Sequence, residues 1–188
     1  MSCQIISSHD QNKEWRKTRK WYKDGKHNEC EIYQRDLVES ITKQRCLKSN
    51  MRINIITNIF ENNLHPMKKE DGFEWSENFD GYMSFQLKDI YFNLKMVCDA
   101  GGAHTRSLRE VYHFIACQLE YLLSNKHDET NTTDISNVYF VNILDGNNCY
   151  THKQKYIYLL NKPIYEQIKH KVFVGDMVQF QEWWIKLF

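Results

Sequence analysis

The sequence predicts an α/β (α+β) fold, with a mixed β-sheet organised around a central hairpin and flanked by helices. Three observations carry that expectation. Two runs rich in aromatic and aliphatic residues, Tyr82 to Leu87 and Ile90 to Val97, are separated only by Lys88-Asp89, which predicts a hairpin closed by a tight turn. Further β-rich runs at Val138 to Leu144 and Val172 to Val174 alternate with helical patterns, and that alternation implies βαβ crossovers with parallel pairing. Between about Thr105 and Leu123, the residues Leu108, Val111, Tyr112, Ile115, Leu119 and Leu122 fall on one helical face, with Thr105 placed as N-cap.

Taken in order, residues 1 to 28 are polar. Between Lys13 and Lys26, seven basic residues (Lys13, Arg16, Lys17, Arg19, Lys20, Lys23, Lys26) stand against Glu14 and Asp24, a local excess of five positive charges. Trp15, Trp21 and Tyr22 are interleaved with them. Cations beside rings suit a surface that meets phosphates and stacks on bases; an amphipathic helix with its rings in the core and its basic face solvated fits equally. From Cys30 to Leu64 the apolar residues Ile32, Leu37, Val38, Ile41, then Ile53, Ile56, Ile59, Phe60 and Leu64 recur at mostly helical intervals, broken near Ser49-Asn50, so two helices are expected. His65-Pro66 ends the second, and Lys68 to Gly72 reads as an exposed turn. Past the hairpin, Asp99 to His104 is a loop and 124–136 a polar connection. A helix is expected over 151–169 despite Pro163, and a closing helix over Val178 to Phe188. The whole is one domain, 1–188, with a helical, basic portion at 1–65 and an α/β core at 66–188.

With 188 residues, 41% hydrophobic and 26% charged, the chain can bury a full core, and neither low hydrophobicity nor high net charge argues for disorder. Lys plus Arg at 25 against Asp plus Glu at 24 excludes a globally basic nucleic-acid binder and leaves only local patches for such a partner. No apolar stretch is long enough to span a membrane and the N-terminus has no signal-peptide pattern, so a soluble intracellular protein is expected. Six cysteines without Cys-x-x-Cys spacing read as reduced, mostly buried thiols. A zinc site built from them and the eight histidines has no local ligand spacing to support it.

Alternation along Ile90 to Val97 puts Asn93 and Lys95 on one face. A lysine inside so apolar a strand needs a partner, because an unpaired buried ammonium is costly. With Lys88-Asp89 at the turn, Lys95 faces Tyr82 and Val97 faces Asp80, which makes Asp80 a diagonal neighbour of the lysine at roughly 7 Å. A carboxylate and a lysine at one end of a sheet suit metal-dependent phosphodiester hydrolysis: the acid holds Mg²⁺, and the lysine orients or deprotonates the attacking water. Glu110, in the second turn of the next helix, is the candidate second metal ligand, and Glu77, three residues before Asp80, is a further one. Each residue has a plainer reading. Asp80-Gly81 can be a simple turn, Lys95 an edge lysine, Glu110 a partner of Arg106 four residues back, and Ser76-Glu77 a capped turn. His113 reads as an ordinary helix residue, Asp145-Gly146 as a turn signal, and Trp183-Trp184 as packing or a dimer interface.

Asp80, the Asn93-x-Lys95 pair, the glycine loop and the Arg106-x-x-Arg109-Glu110 helix resemble the PD-(D/E)xK nuclease superfamily. Asn93 stands where the strand acid normally falls. The sequence is therefore similar to the type II restriction endonuclease branch in which the second metal-binding Glu has moved onto the following helix, the position Glu110 occupies. The resemblance covers about residues 73–145. It implies a restriction-endonuclease-like core, Mg²⁺ dependence, cleavage of double-stranded DNA and a homodimer, with Asp80, Lys95, Glu110 and Asn93 in catalytic roles. The stretch Gly101 to Tyr112 also resembles small restriction-enzyme-like proteins of bacteria and large DNA viruses. Its Gly101, Gly102, His104, Thr105, Arg106 and Arg109 form an attractive phosphate site at a helix N-terminus, joined by Arg16, Lys17, Arg19 and Lys20 of the basic segment. A structure-selective or repair nuclease and a catalytically inactive DNA-binding protein are the alternatives.

Overall fold

A computed structural model describes residues 14, 17–23, 29–63, 75–98, 102–125 and 137–187. After a helical turn at Lys20–Lys23 come α1 (Glu29–Thr42), β1 (Met51–Asn54), β2 (Phe60–Asn62), β3 (Ser76–Asn78), β4 (Gly81–Phe85), β5 (Lys88–Met96) and α2 (Gly102–Ser124). These are followed by β6 (Val138–Asp145), α3 (Asn147–Leu160), 3-10 turns at Pro163–Tyr165 and Lys169–Lys171, β7 (Val172–Gly175) and α4 (Met177–Leu187). The main sheet runs β4-β5-β6-β7. Its β4–β5 pair is antiparallel, whereas β5–β6 and β6–β7 are parallel across α2 and α3, as βαβ alternation requires. The result is the mixed, helix-flanked α/β arrangement the sequence predicts.

Strand alternation divides the core into two. Val97, Phe140 and Leu144 turn to the face covered by α2 and α3, where they meet Leu108, Val111 and Ile115. Ile90, Phe92, Leu94, Val141 and Ile143 turn to the other face, against Leu37 and Val38 of α1 and Met177, Phe180 and Trp184 of α4. Trp184 packs on Phe85 and Phe180, and Trp183 lies 5.2 Å from Phe173, so the tryptophan pair serves packing.

The helix expected over Ile53 to Leu64 is absent: β1 and β2 form a hairpin instead, joined by β3 into a small sheet of order β2-β1-β3. Asparagine chemistry explains the difference. Asn54 Oδ1 accepts the amides of Ile56 (2.9 Å) and Thr57 (3.0 Å), and Asn58 takes a left-handed φ of 57°, a turn that competes with helix. β-Branched Ile53 then pairs with Phe60 across the ladder. The 1–65 portion is thus not wholly helical; residues 64–74, with the expected turn at Lys68 to Gly72, lie outside the described residues.

Three further boundaries move. The β4–β5 turn is centred on Gln86 and Leu87, both at positive φ (49° and 64°), as a type I′ turn demands, rather than on Lys88-Asp89. α3 stops at Leu160, and Pro163 opens a 3-10 turn instead of continuing the helix to 169. Gly102 begins α2, so Thr105 is its fourth residue and not its N-cap. Cys30, Cys46, Cys98, Cys117 and Cys149 are buried thiols. Among the described residues no helix is long and apolar enough to cross a membrane.

Candidate active site

The chain passes from the small sheet to the main one through Phe79 and Asp80 alone. Phe79 donates its amide to Met51 O (3.0 Å) and Asp80 donates its own to Phe92 O (2.7 Å). The observed register pairs Gly81 with Phe92, and one step further sets Asp80 opposite Asn93. Asp80 was expected opposite Val97, four residues further along the chain. Because that slip is even, it keeps every side chain on its face, and Lys95 is a diagonal neighbour of Asp80 in either register.

The Asp80 carboxylate finishes what the ladder leaves open. Its Oδ2 accepts the Leu94 amide at 2.8 Å, and Lys95 Nζ stands 3.7 Å from the same oxygen. Arg35 of α1 donates to the Asp80 carbonyl at 2.9 Å. Burial raises the Asp80 carboxyl above its ordinary value, while Lys95, the Leu94 amide and Arg35 hold part of that rise back.

Beside this pair lies a cavity of about 140 Å³ walled by Glu77, Asn93, Lys95, Ser107, Glu110, Val111 and Phe114. β3, β5 and α2 therefore bring Glu77, Asn93, Lys95 and Glu110 to one hollow, and Asp80 joins it through Lys95. Asn93 is fully buried: its Nδ2 donates to Asn142 Oδ1 at 2.9 Å, while its Oδ1 has no hydrogen-bond partner. Asn142 Oδ1 also accepts from Gln118 Nε2 (3.1 Å), and Asn142 Nδ2 donates to Gln118 Oε1 (2.8 Å). Within this buried amide network, Asn93 Oδ1 is the one oxygen left over at the cavity wall. Glu110 is half-exposed and accepts from Arg106 Nε at 3.0 Å, so it lines the cavity and makes the plainer helix pair at once.

The residues expected to contact DNA do not form one surface. Arg106 extends into solvent from its pair with Glu110. Arg109 turns away from the cavity, into a hollow between α2 and α3. Gly102 is exposed at the start of α2, where His104 and Thr105 share its first turn, and Gly101 lies outside the described residues. In the basic segment Lys17 pairs with Glu14 at 2.9 Å, the Arg19 guanidinium lies 5.7 Å over the Tyr33 ring, and Lys20 is exposed. Arg16 is outside the described residues. His113 is exposed on α2, edge-on to Tyr112.

Sequence reasoning overlooked the contribution of α1. Glu31 lies within electrostatic reach of the pair: burial and the Asp80 carboxylate raise its carboxyl, against Lys95, Arg35 and Lys48. Gln34 donates from Nε2 to Asp145 Oδ2 (2.8 Å) and, more weakly, to Lys95 O (3.3 Å). A readable signal existed, since Gln34 interrupts the core-facing series Cys30, Leu37, Val38, Ile41. Gln118 interrupts the α2 face in the same way. Asp145 is more than a turn residue: it is buried at the end of β6 and accepts from the Met177 amide at 3.1 Å. Burial lifts its carboxyl to about 7, against the Met177 and Gln34 donors and with help from Asp176.

The donors at the cavity, carboxylates and an orphaned amide oxygen, are the hard oxygen ligands that Mg²⁺ takes. Their chemistry fits the ion, although among the described residues no three of His, Cys, Asp or Glu are gathered closely enough to hold one as they stand. Compared with known proteins, the chain matches no family model, and no curated protein or solved structure is significantly similar to it.

Proposed function

We propose that the chain is a Mg²⁺-dependent endonuclease that hydrolyses phosphodiester bonds in double-stranded DNA, in the manner of a type II restriction enzyme acting as a homodimer. The observation that carries this reading is the Asp80–Lys95 pair, 3.7 Å apart at the end of the β4–β5 ladder and opening on a cavity lined by two more carboxylates. Asp80, Glu110 and Glu77 are the acids that would hold the ion, with Asn93 Oδ1 holding a coordinated or nucleophilic water. A divalent ion bound there would polarise the phosphate and favour ionisation of the attacking water. Lys95 has three donors. One is directed at Asp80, and the others are available to orient a water for in-line attack and to offset charge on the non-bridging oxygens. Glu31 adds a further carboxylate within electrostatic reach of Asp80 and Lys95.

A catalytically silent DNA-binding protein is the second reading. It is favoured by the tie of Asn93 to Asn142 and of Glu110 to Arg106. Incubation of supercoiled plasmid with the chain and Mg²⁺ separates the readings. Discrete fragments are the expected result, a smear or nicking indicates a repair-type or non-specific nuclease, and intact plasmid overturns cleavage. Glu110→Ala is expected to abolish cutting and Arg106→Ala to spare it, because an exposed i,i+4 pair contributes only about 0.3–0.5 kcal/mol to holding Glu110.

A further inference from the structure

We infer that the groove between α2 and α3 binds an unpaired nucleic-acid strand, with phosphate held by Arg109 and Lys155 and bases stacked on Tyr112 and Tyr158. Two hollows, of about 170 Å³ and about 460 Å³, share Tyr112 and Lys155 in their walls. The larger is a shallow depression open to solvent, which suits a strand lying along it rather than an enclosed ligand. Each helix supplies a cation and a tyrosine three residues apart, Arg109 with Tyr112 and Lys155 with Tyr158, and that spacing places both on one helical face. The floor is fixed: buried Tyr156 donates its hydroxyl to Leu108 O at 3.1 Å, tying α3 to α2.

Neither Arg109 nor Lys155 forms an ion pair with a described residue, and α3 contains no Asp or Glu. His152 is held by a hydrogen bond between Nδ1 and Asn148 O at 2.9 Å, which leaves Nε2 for the groove. Tyr158 is 71% exposed. An exposed ring beside cations that pair with no described acid suits a polymer that offers π-faces and phosphates together, and a base offers its face only when unpaired. A duplex would present phosphates alone and leave the tyrosines unused.

This inference shares only the polymer with the nuclease reading and needs no cleavage. The test is fluorescence anisotropy of a labelled twelve-residue oligothymidylate, in EDTA, against the unaltered chain. Arg109→Ala/Lys155→Ala is expected to weaken binding at least about tenfold and to flatten the logarithmic salt dependence by about 1.4, roughly 0.7 per lost phosphate contact. Tyr158→Ala is expected to weaken it about fivefold or more and Tyr158→Trp to restore it. The substituted residues are surface groups, and circular dichroism checks that the variants fold. Absence of binding by the unaltered chain, or no change in the double variant, overturns the inference. Equal competition by a duplex of the same length overturns the unpaired strand, and equal competition by polyglutamate overturns stacking. Groove-dependent binding with intact plasmid in Mg²⁺ overturns cleavage alone, and cleavage without groove dependence overturns this inference alone.

Discussion

Lys95 Nζ lies 3.7 Å from Oδ2 of Asp80, across one diagonal of the β4–β5 pair. Removing the cation leaves a buried carboxylate with only the Leu94 amide and the more distant Arg35 to offset its desolvation. Lys95→Met is expected to lower the cleavage rate by about 10²–10⁴-fold and to spare duplex binding in Ca²⁺. Single-turnover cleavage and filter binding on the same preparation check both. Undiminished cleavage by Lys95→Met would remove it from the chemistry.

Asn93→Asp tests whether the amide at the acid position is a working part or a lesion. An aspartate cannot donate to Asn142 Oδ1, so either two oxygens face each other across that contact or Asn142 flips and gives up its paired bonds with Gln118. The expected cost is about 1–3 kcal/mol in urea unfolding, with cleavage by the unaltered chain already present and changed by less than about tenfold in the variant. Cleavage that appears only in Asn93→Asp would favour the silent DNA-binding reading.

The pH dependence of stability follows from Asp145. Burial lifts its folded carboxyl to about 7, against about 3.9 in an unfolded chain. Between those values the folded form binds more protons, so stability from this group is full below about pH 4 and is lost as pH rises toward 7 and above. The span is on the order of 4 kcal/mol. Asp145→Asn removes the titration. Buried Gln34 Oε1, which lacks a partner, can accept from the new amide if Gln34 flips. Urea midpoints at pH 5 and pH 8 should therefore differ less in Asp145→Asn than in the unaltered chain, and the variant should be the more stable at pH 8. Some slope persists, because burial also raises Asp80 and Glu31.

Two glycines respond in opposite directions. Gly146 has a φ of 99°, and a Cβ there would stand 2.4 Å from Val97 O. Gly146→Ala is expected to destabilise by about 3 kcal/mol or more, since backbone strain and a main-chain clash combine. At Gly102 a Cβ meets nothing within 4 Å, and Gly102→Ala should be neutral or stabilising by up to about 1 kcal/mol. Thermal melts of the two variants make the comparison.

The main sheet was legible because its cues are local: alternating apolar strands, a one-faced α2, and helices too long to be turns. The Asp80–Lys95 neighbourhood survived a misplaced turn because face depends on parity and an even slip preserves parity. The small sheet was hidden by isoleucines whose spacing of three imitates a helix, while the deciding signals were the side-chain bonds of Asn54 and the left-handed Asn58. Glu31, Asn142 and Gln118 reach the site by long-range packing, and only the polar interruptions of otherwise apolar faces announce such residues. The basic segment 13–26 was read from its cations and interleaved rings without their tertiary partners, and Lys17 has Glu14 beside it while Arg19 lies over Tyr33 of α1.

Only Phe79 and Asp80 separate β3 from β4, so the acid sits at the joint between two sheets. Phe79 stacks on Phe140 with centroids 5.3 Å apart and meets Phe60 edge-on, which makes it the pin of that joint. Any tilt of the small sheet, such as one imposed by a body resting on its exposed Ile56 and Ile59, has no slack to absorb it before it swings the carboxylate. The aim of Asp80 is thereby set by a phenylalanine that never meets the reacting groups, and by how firmly two unequal sheets are bolted together.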